Sequence, residues 1–161
     1  MQWLAQREHS RAEMQRKLLP HARALVAQAQ AGASPESVEA PPPGEVMARV
    51  NEVLDWLEAH RYLSEQRFAE SRIQARAARH GNLRIRRELA QHGVTLDAEA
   101  AQALQASEFD RAREVWARKF EAPAADAAAR ARQARFLSSR GFSPETVRRV
   151  LRAAGAPADD D

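Results

Sequence analysis

The residues in this chain best equipped for chemistry are arginines. Arg72, Arg76, Arg79 and His80 follow one another at spacings of four, three and one, which on a helix aligns them along one side. Arg84, Arg86 and Arg87 come directly after. Further along, Arg111, Arg113, Arg118 and Lys119 precede Arg130, Arg132, Arg135 and Arg140, and Arg148, Arg149 and Arg152 end the series. A guanidinium is permanently charged, and its fork of donors matches phosphates and carboxylates. Any one of these arginines reads as a solvated surface charge. As a set they read differently, because the acids that would balance them are missing. Residues 72–94 hold only Glu88. Residues 1–71 carry a net charge of −2, residues 72–152 carry +8, and the tail at 156–161 is acidic. Such a field favours nucleic acid or an acidic protein surface.

No other grouping suggests catalysis. The five histidines (His9, His21, His60, His80 and His92) do not pair at i, i+4 with carboxylates or with one another in a metal-site pattern, so each reads as lying at a helix end or on a solvated face. Glu8 and Glu13 read as helix-surface or capping charges, not as an acid and base pair. A phosphate-binding G-x-x-x-x-G-K-[ST] loop and a G-x-S-x-G elbow are both missing, and the chain has no cysteine. The expectation is a protein that is not an enzyme and carries no metal or cofactor. Arg86 to Leu104 resembles helix-turn-helix grammar with Gly93 at the turn. Its second helix, however, contains no arginine, and base readout needs side chains that pair with base edges. Trp56, Phe68, Trp116 and Phe120 stand at core spacing and read as packing residues.

The elements that must position these arginines are helices. Ala, Arg, Leu, Glu and Gln dominate the 161 residues and β-branched residues are scarce, which predicts an all-α fold. Ser10 and Glu13 form a capping box, predicting a helix from Arg11 with Met14, Leu18 and Leu25 on its apolar face, kinked or interrupted at Pro20. Residues 28–44, with four prolines, read as an exposed, partly extended linker. Val46, Val50, Val53, Leu54 and Leu57 predict a helix ending near His60. Ser64 can cap the next, carrying Phe68 and Ile73 to a stop at Gly81. Leu83, Ile85 and Leu89 lead to Gly93. Thr95 can cap a helix with Leu96, Ala100 and Leu104. Phe109, Ala112, Trp116 and Phe120 mark another, ended by Pro123. Ala131, Ala134, Phe136 and Leu137 precede Gly141, and Ser143 with Pro144 opens the last, burying Val147, Val150 and Leu151.

These helices repeat. Leu89-Ala-Gln-His-Gly93-Val94-Thr95 matches Leu137-Ser-Ser-Arg-Gly141-Phe142-Ser143. The unit is a three-helix module, and three fit, near 1–63, 64–106 and 107–155, with the first reading as truncated at its opening helix. Stacked modules predict an elongated, curved array that binds along a filament or groove. The N-terminus has no apolar run of signal-peptide type, and no apolar stretch is long enough to span a membrane.

The blocks R7-E-H-S-R-A-E-M-Q-R-K-L18, Y62-L-S-E-Q-R-F-A-E70, G81-N-L-R-I-R-R-E-L89, W116-A-R-K-F120 and R140-G-F-S-P-E-T-V147 resemble, in order, those of the RecX family. The resemblance spans nearly the whole chain. It implies three tandem three-helix repeats and a cytoplasmic, monomeric modulator of the RecA recombinase. Such a modulator would bind RecA–DNA filaments and restrain their growth, ATP hydrolysis, strand exchange and co-protease activity, and with them DNA repair and the SOS response. The chain departs from the family in its long linker and short N-terminus. With the resemblance, Arg72, Arg76, Arg79, Arg84, Arg86, Arg87, Arg118, Lys119, Arg132, Arg135, Arg140, Arg148 and Arg149 become the expected contacts to RecA, to DNA phosphates, or to both. The alternative is a general nucleic-acid-binding helical protein without RecA specificity.

Overall fold

The computed structural model describes residues 2–31 and 42–155. These form helices α1 (Gln2–Gln6), α2 (Arg11–Ala31), α3 (Pro43–Ala59), α4 (Glu65–Ala77), α5 (Asn82–Gln91), α6 (Ala98–Ala106), α7 (Glu108–Ala117), α8 (Ala127–Ser139) and α9 (Pro144–Ala154), with no strand among the described residues. The all-α expectation holds. The chain divides into two compact units, residues 1–68 and 69–161.

In unit 1, α2 and α3 pack together over Met14, Val50, Leu54, Leu57 and Leu63, with Trp3, Leu4, Leu18, Leu19 and Ala22 against them. The Glu13 amide donates to Ser10 Oγ at 3.1 Å, so the cap stands where the sequence put it. The structure revises three expectations here. Pro20 lies inside α2 and does not interrupt it, since one lost donor is tolerated in a packed helix. Residues 28–31, read as linker, extend α2, and Pro43 opens α3, since proline suits a first turn. Residues 32–41 of that linker, and the acidic tail at 156–161, lie outside the described residues. Leu25 is 66% exposed and Val53 is half exposed, because α3 covers a narrower stripe of α2 than periodicity alone suggested.

In unit 2, α7, α8 and α9 enclose Ala112, Val115, Leu137, Phe142, Val147, Val150 and Leu151, with Phe109, Trp116, Ala134 and Phe136 packed against them. Ile85, Leu89, Val94 and Leu104 are buried on α5, after it and on α6. Asp97, not Thr95, caps α6, accepting from the Ala100 amide at 2.7 Å. Its carboxylate is the stronger acceptor for helix-end amides. Leu83 and Ala131 face outward, and α7 ends at Ala117, before Phe120 and Pro123. Ser143 caps α9, and Pro144 starts it as expected. The two matched turns share their geometry: Gly93 has φ 73° and Gly141 φ 85°, while the Val94 and Phe142 amides return to the carbonyls of Leu89 and Leu137.

A candidate anion-binding surface on unit 2

The basic surface rests on a buried carboxylate. Glu108, at the start of α7, is fully buried. It accepts from the Asn82 amide at 2.8 Å, the Ser143 amide at 3.3 Å, Ser143 Oγ at 2.7 Å and Thr146 Oγ at 2.8 Å. One side chain thus ties the α5 N-terminus to the α9 N-terminus. Both are helix ends whose free amides and dipoles favour a negative charge. Burial pushes the Glu108 carboxyl up, and these hydrogen bonds more than offset it, leaving it below its ordinary value. Arg111, one turn on, donates to the carbonyls of His80 and Leu104 and to Asn82 Oδ1. Although an arginine, it is structural.

The same junction explains two glycines. The Gly81 amide donates to the Arg140 carbonyl and the Leu83 amide to the Gly141 carbonyl, both at 3.0 Å. A Cβ on Gly81 would stand 2.3 Å from Gly141 O, and one on Gly141 would stand 2.5 Å from Arg84 Cβ. The α4–α5 turn therefore docks backbone-first on the α8–α9 turn.

This docking gathers some of the expected contact residues and disperses others. Arg72 and Arg76 on α4 both reach Glu88 on α5, Arg72 at 3.5 Å and Arg76 at 3.0–3.2 Å through Nε and Nη2. Burial raises the Glu88 carboxyl, but Arg76, helped by Arg72 and His92, holds it below its ordinary value. Arg79, Arg84, Arg86 and Arg87 are exposed and form no ion pair among the described residues. Burial lowers the His80 pKa from its ordinary value, and the like charges of Arg84, Arg140 and Arg76 lower it further, against a hydrogen bond to the Arg79 carbonyl. A groove of about 610 Å3 opens here, lined by Leu83, Arg84, Arg87, His92, Ser138, Ser139 and Gly141, with the neutralised Glu88 in its wall. Arg140 lies beside it, its guanidinium 5.2 Å from the Phe136 ring.

The remaining cations do not line this groove. Arg118 donates to the Ala78 carbonyl at 2.8 Å and so joins α7 to the end of α4. Lys119 is exposed beyond α7, Arg132 and Arg135 project from α8, and Arg148 and Arg149 from α9, where Arg149 stacks 4.7 Å over Phe109.

Three features escaped sequence reasoning. Glu108 gave no pattern to distinguish it from a first-turn acid. His9 is buried and hydrogen bonds to Glu13 at 2.9 Å, an i, i+4 pair that corrects the reading of all five histidines as unpaired and peripheral. Trp56, expected in the core, is 47% exposed. Among the described residues no group of three or more His, Asp or Glu is arranged to hold a metal ion, and no helix is long and apolar enough to cross a membrane.

Comparison with known proteins identifies this framework. The family model for the RecX second three-helix domain matches residues 64–104, and that for the RecX third three-helix domain matches residues 106–151. Relatives described as "Regulatory protein RecX" align almost end to end. The protein from Ralstonia nicotianae is 44% identical over 98% of this chain and 87% of its own length. That from Leptothrix cholodnii is 45% identical over 100% and 90%. That from Neisseria meningitidis is 34% identical over 96% and 87%. With tandem three-helix domains and identity sustained over its whole length, the chain belongs to the RecX family of regulatory proteins.

Proposed function

We propose that this protein binds RecA–DNA filaments in the cytoplasm, as a monomer and without catalysing a reaction. On this reading it restrains filament growth, and with it ATP hydrolysis, strand exchange and co-protease activity. Family membership supports the partner. The observation that supports the contact surface is a groove lined by the exposed, unpaired Arg84 and Arg87, whose one lining carboxylate, Glu88, is already paired with Arg72 and Arg76, with Arg79 and Arg86 exposed and unpaired on the same unit outside that groove. These guanidiniums are free to meet the carboxylates or phosphates of a filament without breaking an internal ion pair. Arg72 and Arg76 contribute field but are held by Glu88, and Arg118, Lys119, Arg132, Arg135, Arg148 and Arg149 extend the positive surface.

The test is charge reversal at Arg79, Arg84 and Arg87 together, read by RecA ATPase and strand-exchange assays. Inhibition should fall by about tenfold or more, and binding should weaken as salt rises. Undiminished inhibition by the folded variant would refute the surface. Equal affinity for bare and RecA-coated single-stranded DNA would instead favour the general nucleic-acid-binding reading, which the positive charge alone also fits.

A further inference from the structure

Unit 1 carries a surface of different chemistry. The buried side of α3 is Val50, Leu54 and Leu57. Its outward side presents Glu52, Val53 and Trp56 at helical spacing, followed by His60 and Tyr62. Trp56 is 47% exposed and Tyr62 51%. Both flanking rings lie nearly parallel to the indole: His60 at 4.2 Å and 26°, Tyr62 at 5.7 Å and 19°.

The backbone is arranged to hold this stack. His60 Nδ1 lies 2.8 Å from the Trp56 carbonyl oxygen, which fixes the imidazole. Arg61 adopts φ 61°, a left-handed conformation that costs a non-glycine residue energy. That turn returns the Tyr62 amide to the Leu57 carbonyl at 2.9 Å and brings the phenol back over the indole. The turn has the hydrogen bonding of those at Gly93 and Gly141 and seats Leu63 in the core, but here the residue after the left-handed position, Tyr62, stays half exposed beside Trp56. Preordered Trp and Tyr side chains are the anchors of protein interfaces, because they offer large contact area at little entropic cost.

The charges around the stack select the occupant. Of the acids on α3, Glu45 pairs with Arg49, and Asp55 and Glu58 both pair with Arg11. Glu52, one turn before Trp56, is exposed and unpaired among the described residues. A nucleobase could stack on such rings, but a nucleic acid also needs several cations to hold its phosphates, and here Arg61 stands against an acidic helix. A guanidinium fits better. It would lie over an outer ring face of this stack as a cation–π contact while Glu52 takes its forked donors, and Val53 would meet an adjoining aliphatic side chain. We propose that Glu52, Val53, Trp56 and Tyr62 form a docking site for a protein segment presenting an arginine beside an aliphatic residue. This site belongs to unit 1, the anion-binding surface to unit 2, and it does not depend on RecA being the partner.

The native chain has three tryptophans, so their indole N–H resonances report the site directly. Trp56→Phe, at an exposed position, assigns the resonance of Trp56. The 15N-labelled full chain is titrated with an acetylated, amidated peptide of Arg-Leu pairs separated by Gly, with the same peptide carrying Glu for Arg, and with oligothymidylate. The expected result is a saturable shift of the Trp56 resonance with the Arg-Leu peptide alone, Trp3 and Trp116 staying still. Glu52→Lys should weaken it by roughly fivefold. The proposal is overturned by no shift, by a shift with oligothymidylate instead, by a shift that follows only the chain's own concentration, or by unchanged affinity in Glu52→Lys.

Discussion

Arginine does opposite work in the two units. In unit 1, Arg7 meets Glu13, Arg11 meets Asp55 and Glu58, Arg49 meets Glu45, and Arg67 meets Glu8 at 2.9 Å. In unit 2, Arg72 and Arg76 share one carboxylate, Glu88, while Arg79, Arg84, Arg86 and Arg87 have none. The side chain is the same. What differs is whether a carboxylate stands within reach, and that follows from local composition. A matched guanidinium spends its donors on the fold, so only an unmatched one can recognise an anion without first breaking an internal pair.

Among the described residues each unit also buries one carboxylate, and removing them gives the sharpest contrast. Glu108→Ala would strip partners from two amides and two hydroxyls at once, and should destabilise unit 2 by about 3–4 kcal/mol in urea unfolding. Glu13→Ala in unit 1 should cost less, about 2 kcal/mol: it leaves the buried His9 Nδ1 without its carboxylate, but Arg7 is half exposed and returns to water, and the Ser10 cap survives. The pH dependence carries a definite sign. The Glu108 carboxyl titrates below its ordinary value in the fold, so its contribution is present above the ordinary carboxylate range and disappears as pH falls through the folded value. Glu108→Gln should flatten that acid limb. Equal losses from both alanine variants would mean that the two carboxylates are equivalent, and that the junction in unit 2 is not special.

What could be read in advance follows from range. Local rules found α9, because Ser143, Pro144 and the spacing of Val147, Val150 and Leu151 all act within three turns. They found the arginine surplus, because charge density is a property of sequence windows. They missed Glu108, whose partners lie 26 to 38 residues away. They misplaced Trp56, since helical spacing says which residues share a face but not whether a neighbour covers it. They also found Gly81 and Gly141 for an incomplete reason. Both read as helix stops, yet the tighter constraint is that they meet each other across the α4–α5 and α8–α9 turns.

That meeting sets the next effect in size. Gly141→Ala places a Cβ 2.5 Å from Arg84 Cβ in a left-handed conformation, and should cost about 2–3 kcal/mol while distorting the groove. Gly93→Ala, at a turn of the same type with φ 73°, should cost about 1 kcal/mol if conformation alone matters. The difference between the two losses, measured by chemical unfolding, isolates the docking of the turns from the strain they share. If the losses match, the close approach contributes nothing.

Charge reversal separates the units by function rather than stability. Reversing Arg79, Arg84 and Arg87 should reduce filament binding without lowering stability, since none of them is ion-paired in the fold among the described residues. Reversing Arg11 and Arg67 of unit 1 should do the opposite. It would break pairs with Asp55, Glu58 and Glu8, lowering stability by about 1–2 kcal/mol while leaving the affinity of the folded protein near its parent value. A parallel loss of binding from both sets would erase the distinction drawn between matched and unmatched arginines.

The smallest effect is the most local. Burial, with Arg84, Arg140 and Arg76, holds His80 below its ordinary value of 6.5. The folded state therefore binds fewer protons than the unfolded chain below that value, and stability falls as pH drops from 6.5 toward the folded value. Arg84→Gln removes one of the like charges, so the His80 ring resonance should titrate at higher pH and the loss of stability on acidification should shrink. A carboxylate or phosphate bound in the groove should act in the same direction, because it screens the same arginines. His80 thus reports occupancy from within the fold. If its titration moves on Arg84→Gln but not on addition of the filament, the groove is electropositive yet unoccupied in the complex, and the contact must lie on Arg132, Arg135, Arg148 and Arg149 instead.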